Sequence, residues 1–414
     1  MQYVFPVLIS TLSVAVRRVW LSLPSLPFLR LHPERSHGGH TASRIIFALG
    51  AMAFTLVLVN ASAFAAAADG TATVDASFHD PLATPASLSP LAVHSFLVGV
   101  AHSGKGLVAV GRRGLILMSS DLGKTWEQIP SPVSADLTAI RFSDAKHGWI
   151  VGHDAVVLKT TDGGQTWKRK LDGRAILNII LKTYEARGKA GDVKASGVVD
   201  DAKRSVAQSA TPGVMPFPLL DVWFSNSNNG FVVGAFGLIF HTADGGNTWT
   251  PWIDRTENDR MNHIYAINGV GGAVYIAGEQ GFLRRLDTEG DRFVKITSPY
   301  EGSYFGLYVK KDLVTAYGLR GNAYLSKDGG AQWNKVETGL PDNIIATLPG
   351  AGEDLLFVSQ AGDVLSTDSN GGDVKKLKVL RGTEIYAAVT NGPGAIVTTG
   401  LDGVSVVGLS APLK

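Results

Sequence analysis

The 414-residue chain contains no cysteine. Disulfides, thiol nucleophiles and cysteine-ligated metal sites are thereby excluded, and in an oxidising compartment nothing in the chain mispairs through thiols. Charge is sparse as well: Asp, Glu, Lys and Arg make up 18% of the residues, and the formal net charge is +2. That small surplus belongs to the N-terminus. The first 68 residues hold five of the 38 basic groups (Arg17, Arg18, Arg30, Arg35, Arg44) and one of the 36 acids, Glu34, which leaves 33 bases against 35 acids. The remainder is slightly acidic, so a nucleic-acid partner, which needs a clustered basic face, is not expected. No Gly-x-Ser-x-Gly elbow, His-Glu-x-x-His zinc motif or phosphate loop is present. Gly269-Val270-Gly271-Gly272 is glycine-rich but lies between two short strands, so it is a turn and not a nucleotide fingerprint. No cofactor, metal or catalytic residue is expected.

Long hydrophobic runs are nearly missing. The main one, Ile45 to Val59, spans 15 residues after Arg44 and runs into Asn60-Ala61-Ser62-Ala63-Phe64-Ala65-Ala66-Ala67-Ala68. A basic residue, an apolar core too short for a comfortable membrane span, and small residues around a cleavage site make the pattern of a signal peptide. Residues 1–68 therefore read as an N-terminal extension plus leader. Residues 1–43, with a second apolar stretch at Met1 to Val16, suggest a misassigned start. The mature part, 69–414, is expected in a periplasm or secreted, with peripheral membrane association open to it.

What the chain has is repetition. Ser119-Ser120-Asp121-Leu122-Gly123-Lys124-Thr125-Trp126 returns as Thr160-Thr161-Asp162-Gly163-Gly164-Gln165-Thr166-Trp167, as Thr242-Ala243-Asp244-Gly245-Gly246-Asn247-Thr248-Trp249, and as Ser326-Lys327-Asp328-Gly329-Gly330-Ala331-Gln332-Trp333. The Asp positions lie 41, 82 and 84 residues apart, a period near 41 with skipped units. Weaker copies at Asp287-Thr288-Glu289-Gly290 and Asp368-Ser369-Asn370-Gly371 fill two gaps, with Phe293 and Val374 in place of Trp. A period of this size means a solenoid, a propeller or an array. Before each box run short strands broken by Gly, such as Phe231-Val232-Val233-Gly234 and Leu238-Ile239-Phe240-His241, and helical apolar spacing is missing from them. The fold expected is all-β: a seven-bladed propeller of four-stranded antiparallel blades at about 94–130, 136–170, 217–253, 262–297, 303–337, 343–379 and 384–408. The seventh lacks a fourth strand, which Thr71 to Phe78 are positioned in sequence to supply.

The boxes serve the fold. Asp121, Asp162, Asp244 and Asp328 are placed to accept hydrogen bonds from their own turns, and Trp126, Trp167, Trp249 and Trp333 to bury between blades. The S/T-x-D-x-G-x-T-W pattern is that of the Asp-box, or bacterial neuraminidase repeat. The cadence Val-Val-Gly-x-x-Gly-x-Ile-x-x-Thr-x-Asp-Gly-Gly-x-Thr-Trp resembles the photosystem II assembly and stability factor family of propellers over about 94–408. That resemblance implies a non-catalytic helper that binds a membrane-protein client on the lumenal side of a membrane; similar proteins occur in bacteria without photosynthesis. Sialidases share the Asp-box, so a carbohydrate-active or carbohydrate-binding propeller is the alternative. Their Arg-Ile-Pro motif is absent and their three-arginine site finds no matching positions, leaving Asp154, Glu279 and Asp402 as candidate carboxylates.

One segment, 172–215, adds a repeat length without a blade pattern between blades 2 and 3. Ile176, Ile180 and Tyr184, with Leu177 and Leu181, are at helical spacing; Asp200-Asp201 suggest the start of a second short helix, with Gly191 and Gly197 as breaks. The segment reads either as a loosely packed solvated excursion or as a lid or docking element. In a four-stranded blade the turn between strands two and three lies on the same face as the crossing to the next blade, and the insertion is such a crossing. Candidate partner-binding residues therefore come from those turns: Arg112, Arg113, His153, Asp154, Phe236, Glu279 and Arg320, beside Gln360-Ala361 and Leu401-Asp402. The arginines suit an acidic or C-terminal segment of a client.

The leader gives the first test. Terminal sequencing of protein recovered from a periplasmic fraction should find a start between about Phe64 and Asp69, and residues 1–43 intact on that protein would contradict it.

Overall fold

The computed structural model describes residues 78–380 and 384–409, so the leader and residues 71–77 of the expected closing strand lie outside the described residues. Seven antiparallel sheets follow one another in chain order, six of four strands and the last of three. Their innermost strands are Leu97–Ser103, Leu137–Phe142, Leu219–Phe224, Ile264–Val270, Tyr304–Lys310, Ile344–Pro349 and Ile385–Thr390. Each contacts the next, and the first contacts the last, so the sheets form a closed ring of seven blades. The blade boundaries read from the repeat agree with these strands. Phe78, the last residue of the expected closing strand, is exposed and outside any strand, and it precedes Asp80, which pairs with Arg174 of the insertion at 2.8 Å.

A strand of alternating apolar residues presents two faces, and in a blade both must be buried. The ring buries them between neighbours. The described core divides into seven clusters, one for each seam between adjacent blades. In the seam of blades 2 and 3, Trp149 stacks on Phe224 with ring centroids 3.6 Å apart and planes 9° apart, and Lys159 lies 5.2 Å over the indole.

Each box joins its own turn to the preceding blade. In blade 2 the Thr160 hydroxyl donates to Asp162 Oδ1 at 2.7 Å and accepts from the Gly164 N–H at 3.0 Å, while Asp162 accepts from the Thr166 N–H at 3.0 Å and the Thr166 hydroxyl at 2.5 Å. The Trp167 indole donates back to the Gly164 carbonyl at 3.0 Å and lies in the seam with blade 1. The bonds of the Asp carboxylate recur around Asp121 and Asp244, and most of them around Asp328, while the indole bond recurs at Trp126 and Trp333 but not at Trp249, whose N–H finds no partner among the described residues. Trp126, Trp249 and Trp333 occupy the seams with blades 7, 2 and 4. In blade 4, Phe293 fills the tryptophan's place, fully buried against Phe231 and Trp252.

The insertion forms two helices, α1 (Gly173–Lys189) and α2 (Val193–Ala207). Asp172 caps α1 by accepting from the Arg174 and Ala175 N–H groups at 3.0 Å each. Ile176, Ile180 and Tyr184 are fully buried in the seam of blades 2 and 3, and the Tyr184 hydroxyl donates to Asp254 at 2.8 Å. The loosely packed reading is thus wrong for α1. The second helix begins earlier than Asp200-Asp201 suggested, because Asp192 caps it through the Ala195 N–H at 3.0 Å. Gly197 lies inside it, where a Cβ would meet nothing within 4 Å. Gly188 is the glycine that matters: a Cβ there would come within 2.7 Å of Ser196 Oγ, so its absence lets the helices cross closely.

Hydrogen bonds hold the Asp121, Asp162 and Asp244 carboxyls down at about 2, against an ordinary 3.8, with burial opposing the shift. A carboxyl whose folded value is depressed stabilises the native state above its unfolded value. That contribution is lost as pH falls from about 4 through about 2, so Asp162→Ala or Asp244→Ala should lower the melting temperature near neutrality and flatten its acid dependence. Each should cost about 1 kcal/mol, and Trp167→Ala about 3–5 kcal/mol. Melting curves for Asp162→Ala that match the wild type at every pH would contradict the assignment.

Candidate functional site

The turns between second and third strands share one backbone solution. In every blade the first turn residue donates its N–H to the carbonyl just before its own blade's first strand: Arg112 to Phe96, His153 to Asp136, Ala235 to Pro218, Glu279 to His263, Leu319 to Ser303, Gln360 to Asn343 and Leu401 to Glu384. In five turns a non-glycine residue follows at positive φ, namely Arg113 (54°), Asp154 (54°), Phe236 (54°), Gln280 (51°) and Arg320 (53°). Bulky residues rarely adopt this conformation, and such strain collects at functional positions. The third residue is usually glycine for a nearer reason: at Gly114 a Cβ would stand 1.9 Å from the Val133 carbonyl oxygen.

The structure places all the candidate turn residues on the expected face but spreads them around the ring. Arg112 and Arg113 belong to blade 1, His153 and Asp154 to blade 2, Phe236 to blade 3, Glu279 to blade 4 and Arg320 to blade 5. Two of them are not free. Arg112 lies 4.8 Å over the Phe96 ring and 4.0 Å from Asp136. Glu279 accepts from the His263 N–H at 2.9 Å and from the Tyr265 hydroxyl at 3.2 Å. Arg113, Phe236 and Arg320 are exposed, and among the described residues neither arginine makes an ion pair. Burial, then the Asp80 and Asp136 carboxylates, push Asp154 up, with His153 and Arg174 opposing. The three acids weighed for carbohydrate cleavage, Asp154, Glu279 and Asp402, sit on three separate blades, 2, 4 and 7.

Sequence reading missed the centre of this face. In each blade the first strand carries a one-residue irregularity at its second position. The seven residues so displaced, Val98, Thr138, Leu220, Tyr265, Phe305, Ile345 and Tyr386, all line a central cavity of about 210 Å³. A bulge re-aims one side chain out of the alternation, and here it aims seven toward the axis. Below them Arg141 approaches Asp221 at 3.4 Å, and Asp221 also accepts from the Ile267 N–H at 3.1 Å, so one carboxylate ties blades 2, 3 and 4. Asp221 holds the Arg141 guanidinium above its ordinary value, and burial pushes the Tyr317 phenol up to about 12. Tyr317 reaches the cavity because Gly306 leaves room for it; a Cβ on Gly306 would lie 2.2 Å from its ring. The signals were present in the sequence as the charges of Arg141 and Asp221 within apolar first strands.

The rim around this mouth is aromatic. Phe217 and Phe236 lie 4.4 Å apart, Phe236 and His263 4.6 Å, His263 and Tyr265 6.0 Å, and Tyr265 and Phe305 5.6 Å, a line of rings from the blade 3 turn to the cavity. Across the mouth, Phe96 meets Tyr386 at 4.8 Å with Arg112 above it. The face can therefore offer two exposed guanidinium groups and aromatic surface around a polar centre. No cluster able to hold a metal ion occurs among the described residues.

Comparison with known proteins agrees with this architecture. The family described as Photosynthesis system II assembly factor YCF48 matches residues 118–196 and 213–337. The photosystem II stability/assembly factor HCF136 of Cyanidioschyzon merolae is 29% identical over 245 residues, covering 54% of this chain and 51% of that protein. The Arabidopsis thaliana HCF136 is 26% identical over 202 residues, covering 47% and 39%. The photosystem II assembly lipoprotein Ycf48 of a Synechococcus strain is 26% identical over 247 residues, covering 56% and 72%. The chain thus spans about half the length, or less, of the first two relatives. The solved structure of YCF48 from Cyanidioschyzon merolae superposes with a TM-score of 0.55 at 17% identity, over 79% of this chain and 98% of that one. A structure described as YCF48 bound to D1 peptide gives 0.55 at 14% identity, over 81% and 98%. By its repeats, its ring of seven blades and these matches, the chain is similar in sequence and in fold to the photosystem II assembly and stability factor-like β-propellers.

Proposed function

We propose that this protein is a non-catalytic accessory factor for a membrane-protein complex, acting in a periplasm or lumen by holding an extended acidic or C-terminal segment of its client. The observation that carries the proposal is the contrast between the two faces of the ring. On one, the Asp-box turns spend their polar groups on themselves. On the other, Arg113, Phe236 and Arg320 stand exposed at positive φ around an aromatic mouth, the two arginines without an ion pair among the described residues and Phe236 resting on Phe217 and His263. Names of relatives support the class of role, since they are photosystem II assembly factors and one chain of this fold is described with a D1 peptide. The leader supports export, and among the described residues no helix is long and apolar enough to cross a membrane.

Arg113 and Arg320 stand on blades 1 and 5, so no single compact side chain meets both. A segment lying across the mouth does. The guanidinium groups would pair with its carboxylates in the fork geometry arginine favours, while Phe236 and the rim aromatics take its apolar side chains. The α1–α2 hairpin packs into the seam of blades 2 and 3, and α1 is too well buried to be treated as a removable lid.

Binding is tested with Arg113→Glu and Arg320→Glu together, leaving Arg112 to its packing on Phe96. Capture of the client from detergent-solubilised membranes should weaken at least about tenfold, with the melting temperature almost unchanged. Lys124→Glu, on the opposite face, should leave capture intact. If Lys124→Glu abolishes capture and the double reversal does not, the docking face is the other one.

A further inference from the structure

Three turns of the docking face are tied to the following blade in the same way, and one of the three ties titrates. The N–H of the positive-φ residue reaches a side chain just before the next blade's first strand. Arg113 donates to Asp136 Oδ1 at 2.8 Å, Arg320 to Asn343 Oδ1 at 3.1 Å, and Phe236 to His263 Nδ1 at 3.0 Å. An ionised carboxylate and an amide oxygen accept throughout the neutral range. An imidazole nitrogen accepts only while it carries no proton.

We propose that His263 is a pH-responsive clamp on the blade 3 docking turn: neutral, it fixes Phe236 in place, and protonated, it releases that turn and moves toward Glu279. The effect on client binding rests on the docking role proposed above; the clamp itself does not. Geometry supplies both states. In the closed state the His263 and Phe236 rings meet edge to face at 4.6 Å and 74°, and Phe236 rests on Phe217 at 4.4 Å. A proton on Nδ1 sets a second donor against the Phe236 N–H, which breaks that bond. The acceptor then available is Glu279 Oε2, already 3.7 Å from Nδ1, and both side chains are shielded, at 13% and 23% exposure. Once freed, the Phe236 N–H has lost its side-chain acceptor and is open to exchange with solvent, although the turn keeps its backbone bond from Ala235 to Pro218.

Charges around the ring set the direction. Glu279, from the blade 4 turn, is the carboxylate that acts on it, and Tyr265, on its own strand, donates its hydroxyl to that carboxylate at 3.2 Å. Phe217 and Phe236 bring no charge from blade 3, and Arg260 is turned to Gln280 at 3.3 Å. Burial holds His263 below its ordinary 6.5, with Glu279 opposing. A histidine depressed in the folded state keeps its full contribution above the unfolded value and loses it as pH falls below that value toward the folded one. The clamp is therefore closed at neutral pH and opens on the acid side of 6.5.

The test is amide hydrogen exchange on the protein at about pH 8 and about pH 5, on either side of the ordinary imidazole value, with each rate corrected for the intrinsic pH dependence of exchange. Protection of the Phe236 N–H should fall about tenfold at the acid end, the effect of one lost hydrogen bond, while Arg113 and Arg320 keep theirs. His263→Asn, which copies the blade 5 arrangement, should keep Phe236 protected at both pH values, and His263→Ala at neither. Unchanged Phe236 protection in the wild type, or an equal acid loss in His263→Asn, overturns the clamp. No client enters this measurement, so its failure is separate from failure of the docking proposal, which the arginine reversal tests at constant pH.

Discussion

A single blade cannot bury itself. Its four short strands alternate apolar side chains to both faces, and only a neighbour on each side removes those faces from water. That requirement makes ring closure the constraint on which everything else depends, and it explains why the core is seven separate seams and not one central mass. Five of the seams draw on side chains from two repeats about one period apart in sequence, the seam of blades 2 and 3 spans the insertion, and the seam of blades 7 and 1 joins the two ends of the ring. The box tryptophans sit at these junctions and fill the gap to the preceding blade, and Trp126, Trp167 and Trp333 also close their own turns through the indole N–H.

Closure also separates the two faces of the ring. Turns on the Asp-box side are consumed by their own hydrogen bonding, since Asp121, Asp162 and Asp244 are saturated by donors a few residues away. The opposite face needs only backbone: an N–H to the carbonyl before the first strand, and positive φ at the turn's centre. Side chains there are left to vary, and they do so as Arg, Asp, Phe, Gln and Arg at the strained position of blades 1 to 5. The bulge in every first strand completes the arrangement by turning one residue per blade inward, which gives the face a lined mouth. The α1–α2 hairpin extends the same face outward, welded to the ring by Ile176, Ile180 and Tyr184.

Much of this was legible because repetition exposes roles. The recurrence of Ser or Thr, Asp, Gly and Trp at fixed spacing reported a local hydrogen-bonded turn, and the box bonds are local, spanning two to four residues. The helical spacing of Ile176, Ile180 and Tyr184 named the buried stripe of α1 correctly. What went unread was non-local. Asp192 outcompeted Asp200-Asp201 as the start of α2 because the cap sits at the hairpin's turn. Arg112 and Glu279 looked free as turn residues, yet Phe96, Asp136, His263 and Tyr265 engage them from residues 14 to 24 positions away.

The sequence by itself determined the repeat, the strand content, the number of blades and which face of each blade would vary, since all of these follow from local periodicity and from the alternation of an antiparallel sheet. Only the tertiary structure decided which residues meet at the centre. Arg141, Asp221 and Tyr317 come from three blades and are joined because the ring brings the first strands to a common axis, while Gly306 leaves the space that Tyr317 enters. In the same way His263, 27 residues from Phe236, becomes its partner because the residue before each first strand lies against the preceding blade's turn. That adjacency exists only once the ring is closed.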